Sequence, residues 1–245
     1  MTAIVPAGVC PQHIATRIDA IPAVAVKGLR TVVDIGSIVS DVSSAQDLSE
    51  RGMASFDGDQ RWVALTTIAL VEAADQVLTA GEQDDNSAIA LLRHLNPHAR
   101  IGHRLVELAG VCTYDRGRPA SPHTDCSSPP TAQPAAGYRS SVHHLPDRLH
   151  PHRLQDAVEH VATKVIRADG CLRLATQPSA LMRLHVSAGM ASLDPVPTDT
   201  NPSRQPGRLT ITTSGLSQRD HDRLFTPFQQ ATWEPNSTPG GGPQI

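Results

Sequence analysis

Histidine and cysteine are the side chains of this sequence that suit transition-metal binding, and its 245 residues include twelve histidines and four cysteines. His94, His98 and His103 lie on both sides of Asn96-Pro97, where a helix cannot continue, so we expect no pair of ligands four residues apart on one helix. The cysteines have no Cys-x-x-Cys spacing. They are Cys10, Cys112, Cys126 and Cys171. The spacing predicts free thiols, no metal cofactor and at most adventitious affinity for nickel or zinc.

Nucleophilic chemistry has no better support, because Ser214-Gly215 lacks the Gly-x-Ser-x-Gly elbow and is typical of a turn. One pair does have suggestive spacing. His160 and Lys164 are four residues apart, on the same side of a predicted helix over 152–167 whose apolar residues fit one face. The two interpretations of this pair are solvated helix residues and a phosphate contact through the lysine.

The C-terminal half places several motifs in a fixed order. His150-Pro-His-Arg-Leu154 opens the helix, a strand ends at Gly215, Phe225-Thr-Pro-Phe228 follows a short helix, and Gly240-Gly241-Gly242 comes last. This order resembles the histidine-kinase-type (GHKL) ATPase domain. The resemblance implies an ATP-binding α/β sandwich and a signalling role.

The resemblance implies that five residues bind ATP: His160, Lys164, Gly215, Gly240 and Gly241. The family has asparagines at the positions of His160 and Lys164, and neither replacement suits Mg²⁺, which prefers oxygen ligands. The turn before Gly215 also lacks the aspartate that bonds adenine in that family. We therefore expect weak, metal-free binding of ATP or ADP through Lys164, and neither autophosphorylation nor ATP hydrolysis.

In the N-terminal half, residues 74–104 place a predicted strand, an acidic turn, a helix and Asn96-Pro97 before the next strand. This spacing resembles the nucleotide-binding domain of Trk-type and RCK-type potassium transport regulators. The resemblance implies a dinucleotide site formed by Gly8, Asp34, Asp59 and Asp84. Prolines replace two glycines of the family's phosphate loop, and proline has no N–H to face a pyrophosphate. NAD is therefore expected to bind less readily than ATP or ADP.

These resemblances predict an α/β fold with two domains. Residues 1–108 form a doubly wound (Rossmann-like) parallel sheet with strands near 2–5, 31–35, 53–56, 75–80 and 99–104. Residues 109–149, rich in proline and serine, form a disordered linker. Residues 150–245 form an α/β sandwich of kinase-ATPase type, with helices near 152–167 and 218–225 and strands near 171–176, 181–187 and 208–213.

Charge and hydropathy favour a cytoplasmic protein. The formal net charge is −3, and the basic residues are scattered, so we expect no nucleic-acid partner. The longest apolar run, near 62–74, is far shorter than a membrane span, so we expect no membrane insertion. No basic region precedes an apolar stretch at the N-terminus.

Three classes of function remain open. The first is a histidine-kinase-like signalling protein that has lost catalysis. The second is a nucleotide-sensing regulatory subunit of potassium transport, and the third is a decayed fusion product without selected activity. The first two imply a kinase, a response regulator or a potassium transporter as partner.

Overall fold

Two β-sheets of opposite type organise the chain in a computed structural model. The structure describes residues 11–81, 85–103, 133–196 and 207–234, together with Ile4 and Val9. Within these residues, the first sheet is parallel and has three strands in chain order. The second sheet is antiparallel, and its five strands lie in the order first, fifth, second, third and fourth along the chain. The fold is therefore mixed α/β, as predicted.

The N-terminal part alternates helices and parallel strands. In chain order its elements are α1 Pro11–Asp19, β1 Arg30–Asp34, α2 Ile38–Asp41, α3 Val63–Ala73, β2 Gln76–Ala80, α4 Asn86–Leu95 and β3 Arg100–Gly102. The Asp85 side chain caps α4 by accepting from the N–H groups of Ser87 and Ala88, at 2.8 and 3.3 Å. A buried cluster places side chains of α2, α3 and α4 against Val33 of β1 and Val77 of β2.

The C-terminal part is an antiparallel sheet covered by helices on one face. Its elements are β4 Tyr138–His144, α5 Pro151–Ala162, β5 Arg167–Leu174, β6 Gln177–Ser187, β7 Met190–Pro195, β8 Arg208–Ser214, α6 Gln218–Arg223 and α7 Thr226–Gln230. Leu154, Ala157 and Val161 form the apolar stripe of α5. They pack against apolar side chains of β5, β6 and β8, and the aromatic rings of Phe225 and Phe228 complete this core.

Most predicted elements are confirmed within a few residues, including the strands near 31–35, 75–80 and 208–213. The strand predicted near 53–56 is wrong, because Gly52 and Gly58 both take positive φ angles and turn the chain there. The helix predicted to reach residue 167 ends at Ala162, since Arg167 already belongs to β5. The strand predicted near 2–5 lies, except for Ile4, outside the described residues.

The predicted linker 109–149 contains a strand. β4 pairs with β8 over seven residues, from Tyr138 opposite Ser214 to His144 opposite Arg208. The segment can join the sheet because the prolines lie outside residues 135–145, which leaves every backbone N–H of β4 able to donate. Residues 104–132 of the chain, which include most of the predicted linker, lie outside the described residues.

Candidate functional site: a buried charged junction

The antiparallel sheet has one apolar and one polar face, and the polar face meets the N-terminal part at Arg167. This side chain is completely buried at the start of β5. Its guanidinium forms an ion pair with the buried Glu72 of α3 and donates to the carbonyls of Leu95 at 2.9 Å and His94 at 3.4 Å. Carbonyls at a helix C-terminus carry partial negative charge, so one cation ties β5 to α3 and to the end of α4.

Asp169 is the next residue of β5 on the same face, and it is 1% exposed. Its Oδ1 lies 3.2 Å from Nε of Arg183 and 3.6 Å from Nδ1 of His185, which stands opposite it on β6. Burial raises the pKa of the Asp169 carboxyl, but the interactions with His185, Arg183 and Arg167 outweigh burial and hold that pKa well below its usual range. The carboxylate is therefore ionised and belongs to a paired charge cluster.

A chain of hydrogen bonds that includes His94 lies beside Arg167. Nδ1 of His94 is 2.8 Å from Oγ of Ser140, which is 2.9 Å from Oγ1 of Thr212. Burial and the charges of Arg167 and Arg139 lower the pKa of His94, so its imidazole is neutral at pH 7. His94 also lines an open groove of about 460 Å³ between α4 and the chain that leads into β4.

A second histidine network lies on the apolar face of the sheet. Oγ of Ser141 is 2.6 Å from Nε2 of His143 and 2.6 Å from Nε2 of His221, whose Nδ1 is 2.7 Å from Oγ1 of Thr213. The ring of His143 stacks on Phe225 with a centroid distance of 4.2 Å. Burial lowers the pKa of His143, and it lowers the pKa of His221 to about 4. Both imidazoles are therefore neutral, and their nitrogens converge on one hydroxyl.

The described residues contain no group of three or more histidine, cysteine, aspartate or glutamate side chains close enough to hold a metal ion. The Nε2 atoms of His143 and His221 both lie at hydrogen-bond distance from the Ser141 hydroxyl. A helix able to cross a membrane is also absent from the part of the chain that the structure describes.

The structure describes three of the five predicted ATP-binding residues. Lys164 Nζ lies 3.0 Å from Nε2 of His160, and both side chains are exposed at the end of α5 and beyond it. Gly215 takes a φ of +70° in the turn after β8, where its N–H donates to the carbonyl of Gly137 at 3.0 Å. Gly240 and Gly241 lie outside the described residues.

Two of the four predicted dinucleotide residues, Asp34 and Asp59, form hydrogen bonds within the chain. Asp34 ends β1, is exposed and accepts from the N–H of Gly36 at 3.0 Å. Asp59 is fully buried and binds Arg61 through two contacts of 2.6 and 2.8 Å, which hold the pKa of the Asp59 carboxyl well below its usual range. Gly8 and Asp84 lie outside the described residues.

The motifs behind the two resemblances have structural roles in this fold. Phe225 and Phe228 are buried in the C-terminal core. Asn96 is fully buried and its Nδ2 donates to the carbonyls of Val71 and Ala74, both at 2.8 Å, and to that of Glu72 at 3.2 Å. Asn96-Pro97 therefore joins the ends of α3 and α4.

Four buried or half-buried polar residues of β5 and β6 were not predicted as site residues: Arg167, Asp169, Arg183 and His185. Charged and apolar residues alternate along β5 and β6, a pattern that is typical of a strand with one polar face and that could have identified these residues. The pairing of the two strands, which brings Asp169 opposite His185, depends on contacts that the sequence alone does not specify.

Comparison with known proteins points away from both predicted families. No family model matches the chain. The chain is 40% identical over 140 residues to a protein of Mycobacterium tuberculosis named zinc chaperone Rv0106, and equally to an uncharacterised protein of Mycobacterium bovis. The match covers 54% of this chain but 34% of each relative, so it spans about one third of the length of those relatives.

Solved structures give a more distant comparison. The Zn(II)-bound YjiA GTPase of E. coli has a TM-score of 0.36 at 14% identity, covering 89% of this chain and 67% of the GTPase. A Zn(II)-bound triple mutant of the same GTPase has a TM-score of 0.37 at 13% identity, with the same coverage. Scores at this level do not define a shared fold.

The relationship to a protein named as a zinc chaperone corrects several predictions. The GHKL and Trk/RCK resemblances are wrong, and so are the histidine-kinase signalling and potassium-transport functions drawn from them. The decayed-fusion alternative has no better support. The predicted cofactors, ATP or ADP and less readily NAD without a metal, are also wrong, because the relative's name points to a metal. The physical reason is that the short motifs occur in this chain as core and capping residues.

Proposed function

We propose that this chain takes part in zinc delivery as a protein of the zinc-chaperone type. The observation that carries the proposal is the 40% identity over 140 residues to the protein named zinc chaperone Rv0106. Because the match spans 34% of that relative, the proposal concerns what the shared region contributes to zinc delivery.

In this proposal zinc is the cargo of the protein. A protein zinc site needs three or four nitrogen, sulfur or oxygen ligands. Within residues 11–81, 85–103, 133–196 and 207–234, His143 and His221 supply two neutral imidazole nitrogens that converge on Ser141, and a complete site is not assembled. We propose these two nitrogens as donors that contribute to zinc affinity, and we derive no catalytic step from them.

We also propose a domain organisation. The parallel sheet with α3 and α4 is part of a doubly wound, Rossmann-like unit, and β4 belongs with residues 150–245 to a second domain. We also propose that the protein acts in the cytoplasm. The expected absences of a nucleic-acid partner and of ATP hydrolysis stay predictions.

Competition between the full chain and a zinc-binding dye tests the proposal. We expect the folded chain to bind Zn²⁺ at least about tenfold more tightly than the same chain in urea, a difference of about 1.4 kcal/mol. Mg²⁺ should not compete, because imidazole ligands select transition metals. Equal zinc affinity in the folded and unfolded chain would show that scattered histidines bind zinc adventitiously, and the proposal would fail.

Two double variants locate the donors. His143→Ala with His221→Ala should weaken zinc binding, while His150→Ala with His152→Ala is the matched control. The control pair also has neighbouring rings, with centroids 5.8 Å apart, at the start of α5. If zinc binding is fold-dependent but unchanged in the first variant, zinc delivery survives and the assignment of these donors fails.

A further inference from the structure

Among the residues that the structure describes, the parallel sheet has an open edge at β1. Within the described residues β1 pairs with β2 alone, and β2 lies between β1 and β3. Arg30, Val32 and Asp34 are exposed, and Val32 keeps 64% of its surface accessible. An uncovered edge strand with an apolar residue at its centre is a template for pairing with another strand.

The backbone of β1 presents alternate residues to that open edge. The carbonyl of Leu29 accepts from the N–H of Gln76 at 3.2 Å, and the N–H of Ile35 donates to the carbonyl of Ala80 at 2.9 Å. Odd-numbered residues therefore direct their backbone groups towards β2. Because successive residues of a strand point these groups to opposite sides, residues 30, 32 and 34 direct theirs outward.

We propose that the open edge of β1 is a homodimer interface, in which β1 pairs antiparallel with β1 of a second copy about a two-fold axis at Val32. In this register Val32 lies opposite Val32 of the second copy, and Arg30 lies opposite Asp34. Two-fold symmetry gives three residue pairs, 30 with 34, 32 with 32 and 34 with 30. Each pair uses the outward N–H and C=O groups, as a hydrogen-bonded antiparallel pair requires. Pairing at β1 does not require zinc binding.

Charge complementarity favours a second copy over an unrelated strand. The sequence of β1 is Arg-Thr-Val-Val-Asp, with opposite charges at equal distances from Val32. The Nε of Arg30 donates to Oε1 of Gln76 at 2.6 Å, and both Arg30 and Asp34 are exposed on the same face as Val32. The two-fold axis brings each Arg30 against an Asp34, so the pairing is self-complementary as a two-fold interface must be. A parallel pairing in register would instead place like charges side by side.

Variants that reverse the charges of Arg30 and Asp34 test the interface. The dimer dissociation constant of the full chain is measured by sedimentation at micromolar concentration. Wild-type protein should be a dimer. Arg30→Asp and Asp34→Arg should each raise the dimer dissociation constant about tenfold or more, because each places like charges opposite at two symmetric positions. Arg30→Asp combined with Asp34→Arg restores opposite charges and should return the constant to within about threefold of wild type. Arg219→Asp, an exposed change of the same charge on α6, is the control.

Val32→Pro gives a second test that does not depend on the charged side chains. Proline removes the outward N–H of Val32 and leaves the hydrogen bonds between β1 and β2, so the variant should fold and be monomeric. In wild-type protein, the amides of residues 30, 32 and 34 should exchange hydrogen slowly in the dimer and quickly after dilution to monomer. The amides of residues 31 and 33 should be slow in both.

Three results would overturn the proposal. The first is a monomer throughout the micromolar range, and the second is a dimer whose dissociation constant does not respond to the single charge changes. The third is a dimer that the double exchange fails to restore although the variant folds. Recovery of β1 protection only on adding a different polypeptide would assign the edge to a heterologous partner and contradict the homodimer.

Discussion

At the scale of single residues, Arg167 is a buried cation that joins the two parts of the molecule. Its charge is buried together with Glu72, and its two terminal nitrogens also bond carbonyls at the end of α4. Breaking a buried pair from one side leaves an uncompensated charge in the interior, which costs more than the pair itself contributes.

Arg167→Met should therefore lower the free energy of unfolding by about 3–5 kcal/mol in urea titrations. Arg167→Met combined with Glu72→Gln should recover part of this loss, because the double variant leaves no buried charge at that point. Arg223→Met is the matched control. Arg223 is 60% exposed beside Asp220, and its loss should cost less than about 0.5 kcal/mol. Equal losses for Arg167 and Arg223 would show that the junction is not a stabilising contact.

His221 gives the molecule a pH-dependent stability. Its pKa falls from the usual 6.5 to about 4 on folding, so the unfolded chain binds the proton first. The stability from this group is present above pH 6.5 and is lost as the pH falls from about 6.5 towards about 4, with a total of about 3 kcal/mol. His94 and His143 also have lowered pKa values and contribute with the same sign.

Thermal or urea unfolding across this pH range should show His221→Gln to be less sensitive to acid than wild type. A wild-type stability that stays constant from about pH 6.5 to about pH 4.5 would contradict the burial of neutral histidines in this core.

At the scale of elements, the central strand β5 depends on a glycine. A Cβ built on Gly170 would lie 1.9 Å from the carbonyl oxygen of Arg208, in the neighbouring strand β8. Gly170→Ala should therefore separate β5 from β8 locally and lower the free energy of unfolding by more than about 3 kcal/mol. At Gly36 the nearest atom outside the chain neighbours is 3.5 Å away, so Gly36→Ala should cost less than about 1 kcal/mol. Similar results for both variants would contradict the β5–β8 register.

Elements with a strong local pattern were predictable from the sequence, and polar or exposed ones were not. The apolar stripe of α5 and the β-branched residues of β1 and β8 identify them. β4 was missed because its Ser-Ser-Val-His-His run has no apolar alternation, and β7 was missed because all six of its residues are exposed. The junction residues were missed for another reason, since Arg167 acquires its partner Glu72 from a helix 95 positions earlier in the chain.

At the scale of the whole molecule, two hydrophobic cores meet through a polar layer. The N-terminal core extends to Tyr138, the first residue of β4, while the C-terminal core lies on the opposite face of the antiparallel sheet. His94, Ser140 and Thr212 continue the polar layer beside Arg167.

The rate of zinc transfer to an apo zinc enzyme tests the proposed zinc delivery most directly. Zinc-loaded chain and a small chelator are compared at equal free Zn²⁺, so that release into solution supplies the enzyme equally in both. We expect the apo enzyme to be activated faster by the zinc-loaded chain than by the chelator. The activation rate should rise with chain concentration while free Zn²⁺ is held constant, because zinc would pass within a complex of the chain and the enzyme. A rate equal to that with the chelator, and independent of chain concentration, would contradict it.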